Sequence, residues 1–173
     1  HGHRLVLAAR RTERLEALAD ELGKTSRARP LVLTVDLSAP DAGDVIQTVL
    51  LREQLEPQYV VNNAGFGLAG LAASRPRERQ LDMIDLNVRA LTDLSLRFAD
   101  PLERHRGGLM NIASVAGRRA QPGMGIYCVS KAAVVMLTQV LAVELADQKI
   151  NVNALTPGFV KTKYSSAIWA NDG

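Results

Sequence analysis

Gln58-Tyr59-Val60-Val61-Asn62-Asn63-Ala64-Gly65 is the stretch that decides the fold. Gln58 to Val61 reads as a short β-strand, and it stops at once in polar and small residues. The same unit recurs on both sides. Upstream, Arg4 to Ala9 and Pro30 to Val35 read as strands. Between them Thr12 can cap a helix from Glu13 to Leu22, with Leu15, Leu18 and Leu22 at helical spacing and Gly23 suited to its end. Residues 41 to 54 read as a second helix, with Val45, Val49 and Leu50 on one face.

Downstream, a loop holding Gly65, Gly67 and Gly70 precedes a long helix expected from Glu78 to Glu103. Gly108 to Ile112 is the next strand. A Gly- and Pro-containing loop, Gly117 to Gly125, leads into a helix bearing Tyr127 and Lys131 and running to Ala146. Lys149 to Leu155 is the last strand, closed by Thr156-Pro157-Gly158. Strands alternating with helices predict an α/β fold: a doubly wound, mostly parallel sheet with helices on both faces. Such sheets bind ligands beyond the carboxyl ends of their strands. Arg10-Arg11, Asp36, Asn62 to Gly65, Ser114 and Pro157-Gly158 each follow a strand.

Composition narrows the function classes. The 173 residues suffice for one domain with a sizeable core, and 47% are hydrophobic against 23% charged. No apolar run approaches the ~20 residues that cross a bilayer. Cys128 is the only cysteine, which excludes an intrachain disulfide and suits a reducing, cytoplasmic setting. The net charge of +3 is mild, and the densest basic cluster, Arg75 to Arg79, is interrupted by Glu78. It reads as a solvated loop and helix start, so nucleic acid is not the expected partner. His1, His3 and His105 lack metal-ligand spacing, and no metal is expected.

Tyr127 and Lys131 are four residues apart, so on a helix they share a face. A free phenol has a pKa of about 10, too high to exchange protons readily at neutral pH. One cation at ~4 Å in an effective dielectric of ~20 contributes about 4 kcal/mol, or roughly three pK units. The alternative is a core tyrosine with a surface lysine one turn on. Ser114 ends an apolar strand, where its hydroxyl can hydrogen-bond a substrate oxygen; the alternative is a turn serine. No His or Asp is placed to activate it, so a hydrolase triad is poorly supported.

Taken together, Asp36-Leu37, Asn62-Asn63-Ala64-Gly65, Asn87 within Asp85-Leu86-Asn87-Val88, Asn111-Ile112-Ala113-Ser114, Tyr127-x-x-x-Lys131 and Pro157-Gly158-x-Val160-x-Thr162 resemble the short-chain dehydrogenase/reductase family in its single-domain form. The likeness covers almost the whole chain. It implies a Rossmann-like dinucleotide-binding and catalytic domain over residues 1–173. It also implies a Gly-rich Thr-Gly-x-x-x-Gly-x-Gly turn upstream and a further strand and helix downstream, neither of which is in the chain. The domain is therefore expected to be partial, truncated at both ends, with the absent first strand belonging mid-sheet.

By this resemblance Tyr127 is the general acid/base and Ser114 orients the substrate oxygen. Lys131 tunes Tyr127 and binds the nicotinamide ribose, and Asn87 holds a water that links Lys131 to solvent. Asn63, Ala64 and Gly65 border the adenosine half of the cofactor, and Asp36, followed by Leu37, receives the adenine amino group. Pro157, Gly158, Val160 and Thr162 approach the nicotinamide carboxamide and phosphates. Where many relatives carry a carboxylate that binds the ribose 2′-hydroxyl, this chain has Ala9 followed by Arg10 and Arg11. Guanidinium groups suit a 2′-phosphate, so NADP(H) is expected over NAD(H).

The expected activity is interconversion of a small-molecule carbonyl and alcohol. Two alternatives remain: a nucleotide-binding or interaction protein without turnover, or an inactive fragment. A homodimer or homotetramer is implied, through the helices around Asn87 and after Tyr127. Ala132, Val135, Met136, Val140 and Val143 suit core and interface equally. The segment closing over the substrate is expected after Thr162, with Tyr164 and Trp169 as candidate pocket residues.

Overall fold

The structure, a computed structural model, describes residues 2–158 and 160. The chain divides into two compact units, His1–Pro57 and Gln58–Gly173.

In the N-terminal unit, β1 (Val6–Ala9) and β2 (Leu31–Thr34) pair in parallel, with Val6 opposite Leu31 and Ala9 opposite Thr34. Helix α1 (Thr12–Gly23) connects them and α2 (Ala42–Arg52) follows. Two details depart from expectation. Thr12 does not cap α1; its hydroxyl hydrogen-bonds Thr34 Oγ1 at 2.7 Å. The face α1 buries is Leu15 and Ala19, while Leu18 is exposed; α2 likewise buries Ile46 and Leu50 and exposes Val45. Apolar spacing gives the helical period, but which apolar residue faces inward is set by what the helix packs against.

The C-terminal unit holds a three-stranded parallel sheet in the order β3-β4-β5: β3 (Tyr59–Asn62), β4 (Gly108–Ile112) and β5 (Asn151–Leu155). Leu102, Leu109, Leu141, Ile150 and Val152 form a buried cluster between sheet and helices. Each such side chain contributes about 1.5–3 kcal/mol on burial.

The long helix expected from Glu78 to Glu103 is broken. It consists of α3 (Arg77–Ile84), a π-helical turn (Asp85–Ala90), α4 (Leu91–Arg97) and α5 (Ala99–His105). Pro101 accounts for the break at Phe98: it has no N–H for the Arg97 carbonyl, and its ring crowds that same carbonyl. The π turn contains Asn87, and such turns recur where a helix meets a functional site.

Helix α6 (Gly125–Glu144) is the longest element, at 20 residues. Its length and composition would suit a membrane span, but it also has the pattern of a core helix. Tyr127, Ser130, Lys131, Val134, Thr138 and Leu141 are buried at helical spacing. Met136, Val140 and Val143, which suited core and interface equally in the sequence, are exposed.

Two buried amide side chains join these elements. Asn62 Nδ2 donates to Asn111 Oδ1 and to Ser95 Oγ, each at 3.0 Å. Asn111 Nδ2 donates to Thr138 Oγ1 at 3.0 Å, and that hydroxyl donates to the Val134 carbonyl at 2.7 Å. The network ties β3, β4, α4 and α6 together. No buried side-chain polar atom among the described residues lacks a partner, which is the condition for buried polar groups to be tolerated.

Candidate active site

In the C-terminal unit, Ser114 leaves β4 in an extended conformation, and its Oγ accepts the Ala116 N–H at 3.2 Å. It thereby caps a 3₁₀ turn, Val115–Gly117. Gly117 is required at the end of that turn, because an added Cβ would stand 2.5 Å from the Lys131 carbonyl. The missing side chain lets the turn after Ser114 press against the α6 backbone. The Val115 N–H donates to the Pro157 carbonyl at 3.1 Å, so the Pro157-Gly158 turn lies beside Ser114.

Lys131 and Tyr127 sit one turn apart on the inward face of α6, both buried. The Lys131 amine lies 5.8 Å from the centre of the Tyr127 ring and donates to the Ile112 carbonyl at 2.6 Å. Ile112 is two residues before Ser114, so the amine bridges the tyrosine helix and the serine strand. Burial disfavours the ammonium and pushes its pKa down to about 8. No described carboxylate forms an ion pair with it. The Tyr127 hydroxyl makes no hydrogen bond to any described residue, while its ring packs with Met83 and Ala116.

Asn87 is fully buried. Its Oδ1 accepts the Phe66 N–H at 3.0 Å. Its Nδ2 donates to the Phe66 carbonyl at 2.9 Å and to Ser130 Oγ at 3.1 Å. Ser130 Oγ in turn donates to the Tyr127 carbonyl at 2.8 Å. One amide thus clamps the loop after β3 to the first turn of α6. Gly65 lies inside that clamp, where a Cβ would fall 2.9 Å from Asn87 Oδ1 and 3.6 Å from Lys131 Nζ.

Asn87, Ser114, Tyr127, Lys131, Gly65 and Pro157 are therefore gathered within one unit. Asn63 is exposed and Ala64 partly buried at the end of β3, Gly158 has open space around it, and Val160 is exposed. Thr162, Tyr164 and Trp169 lie outside the described residues. Sequence reasoning passed over Ser130 and Phe66. The signal for Ser130 was its spacing, three residues after Tyr127 and thus on the same helix face. Phe66 carried no signal, because its part is played by its backbone.

The N-terminal unit holds Arg10, Arg11, Asp36 and Leu37. Ser38 donates to Asp36 Oδ1 twice, through Oγ at 2.6 Å and N–H at 3.0 Å. The Ser38 hydroxyl, then its N–H and to a lesser degree Arg10, hold this carboxyl below its usual range. Arg10 Nη1 stands 3.9 Å from Asp36 Oδ2, with both side chains largely exposed. Leu37 is buried and Arg11 is exposed.

A parallel α/β fold with a buried Tyr-Lys pair beside a strand-end serine agrees with comparisons against known proteins. The sequence profile of the short chain dehydrogenase family matches residues 1–173. Oxidoreductase UcpA of Salmonella typhimurium is 33% identical over 172 residues, 97% of this chain and 64% of the relative. The NADP-dependent 3-hydroxy acid dehydrogenase of Schizosaccharomyces pombe is 29% identical over 168 residues, 94% of this chain and 63% of the relative. A short-chain dehydrogenase from Sphingobium yanoikuyae, solved in complex with NADPH, superposes with a TM-score of 0.85 at 33% identity, covering 96% of this chain and 65% of that one. The chain belongs to the short chain dehydrogenase family and has its Rossmann fold. It spans under two thirds of the length of these relatives.

Proposed function

We propose that the protein is an NADP(H)-dependent oxidoreductase that interconverts a carbonyl and an alcohol, with Tyr127 as the general acid/base. The observation that carries the proposal is the buried Lys131 amine, set between the Tyr127 ring and the Ile112 carbonyl two residues from Ser114. A desolvated cation without a carboxylate partner suits neutral oxygen ligands such as ribose hydroxyls. The bare backbone at Gly65 lets the Asn87 amide and the Lys131 amine close up against the end of β3. These features fit a nicotinamide nucleotide, which when bound supplies or accepts the hydride.

In the reductive direction Tyr127 gives its proton to the substrate oxygen, and Ser114 Oγ donates a hydrogen bond to that oxygen as charge develops on it. At pH 7 Lys131 is still about tenfold in favour of the ammonium, given a pKa of about 8. It therefore favours the phenolate that remains. Asn87 supports the proton relay by holding the loop and the first turn of α6. Asn63, Ala64, Gly65, Pro157, Gly158 and Val160 are assigned to the cofactor's border, and Asp36 and Leu37 to its adenine side. Arg10 and Arg11 carry the preference for NADP(H), in keeping with the NADPH complex and the NADP-dependent relative. The exposed apolar residues Val129, Met136, Val140 and Val143 of α6 support pairing with a second copy of the chain. The single cysteine supports a cytoplasmic setting.

Tyr127→Phe decides the matter. Turnover over a panel of ketones and aldehydes should fall by three orders of magnitude or so, while NADPH binding followed by its fluorescence stays within about twofold. Retained turnover would remove Tyr127 from the proton route. NADPH binding without turnover in the unmutated protein would favour a nucleotide-binding scaffold.

A further inference from the structure

The loops that follow β3 and β4 contain no acid. There is no Asp or Glu between Glu56 and Glu78, nor between Glu103 and Glu144. Two contacts join these loops. The Gly70 N–H donates to the Gly123 carbonyl at 2.6 Å, and Gly125 packs so closely that an added Cβ would lie 3.3 Å from the Gly70 carbonyl. Three arginines stand on them: Arg75, whose guanidinium lies over Gly70, and Arg118 and Arg119. All three are exposed, and none forms an ion pair with a described residue.

Their neighbours behave differently. Arg77 and Arg79 on α3 pair with Glu78 and Asp82, and Arg89 and Arg97 pair with Asp85 and Asp93. These four helical arginines are matched by local acids, and the three on the joined loops are not. Placement adds to this. Arg118 closes the 3₁₀ turn that Ser114 begins, which at about 2 Å per residue puts its Cα roughly 8 Å along from the serine. A guanidinium side chain spans much of that distance again. A surface of one sign, without acids, concentrates anions and steers them inward.

We propose that the substrate carries a carboxylate or phosphate a few bonds from its reacting carbon, and that Arg118 and Arg119, with Arg75 on the joined loop, recognise it. The proposal rests on the reductase reading of Ser114 and Tyr127, and adds the substrate's charge class. The phosphates of the cofactor have the same chemistry, so the test must tell the two sources apart.

The probes are 5-oxohexanoate and its methyl ester, with saturating NADPH, on the wild-type protein and on R118A/R119A; R14A/K24A, which removes two exposed charges from the N-terminal unit, is the control. In the wild type kcat/KM should favour the acid, and the advantage should shrink as salt rises. In R118A/R119A the acid-to-ester ratio should drop at least tenfold, through KM, with kcat for the ester within about twofold. An unchanged ratio, or the same loss in the control, overturns the proposal. A raised KM for NADPH with an unchanged ratio also overturns it and assigns the arginines to the cofactor. If neither probe turns over, the reductase reading fails first, and calorimetric binding of 5-oxohexanoate then decides. Binding weakened at least tenfold by R118A/R119A upholds the anion site, and equal or undetectable binding in both proteins overturns it.

Discussion

The two units treat their polar residues in opposite ways. In the C-terminal unit Asn62, Asn87, Asn111, Ser95, Ser130, Lys131 and Thr138 are buried, and each is hydrogen-bonded within the protein. In the N-terminal unit Arg10, Arg11 and Asp36 are exposed, and the Arg10–Asp36 pair is long at 3.9 Å. Even the tighter contacts of Arg29 with Glu16 and Asp20 are on the surface. Buried polar groups hold geometry, since each lost bond leaves a desolvated partner. Exposed ones contribute little to folding and remain available to a ligand.

The sharpest way to break the contrast is Asn111→Ala. It removes one partner from the Asn62 amide, which keeps Ser95, and one from the Thr138 hydroxyl, which keeps the Val134 carbonyl, and it leaves a cavity at the centre of the sheet. We expect a loss of about 4 kcal/mol in urea unfolding; a loss under 1 kcal/mol would show that water repairs the network.

Lys131→Met tests the buried cation. The unfolded chain keeps this proton up to about pH 10.5 and the folded chain only to about 8. Between those values the unfolded state binds more protons, so stability rises with pH, by up to about 3 kcal/mol, and the full cost of burying the charge stands below pH 8. The variant should flatten that rise in unfolding curves taken from pH 7 to 10.5. Gly65→Ala is milder: its methyl meets an Asn87 amide already held by three bonds, and we expect about 2 kcal/mol of destabilisation with slower turnover. Arg10→Ala should change stability by less than about 0.5 kcal/mol, yet raise KM for NADPH at least tenfold more than KM for NADH. Equal effects on both cofactors would remove Arg10 from the 2′-phosphate assignment.

Part of the fold and of the candidate site was legible in the sequence. β4 falls on the expected residues, and the Tyr127–Lys131 spacing places both side chains on one buried face. Asn87 was legible as a motif residue, but its burial was not, because the loop backbone that it binds lies 21 residues away. The break at Phe98 could have been read from Pro101. The use of Thr12 could not, because Thr34 meets it across 22 residues.

Sequence alone determined what is periodic or local: the alternation of strand and helix, the strand ends at which polar residues collect, and the one-turn separation of phenol and amine. Tertiary structure decided which polar side chains are buried, that the Lys131 ammonium is held down by desolvation, and that Gly65 and Gly117 are bare because another backbone or amide lies against them. The physical reason is range. Propensity and spacing act within a few residues, whereas burial and hydrogen-bond satisfaction depend on partners that only packing brings within 3 Å or so.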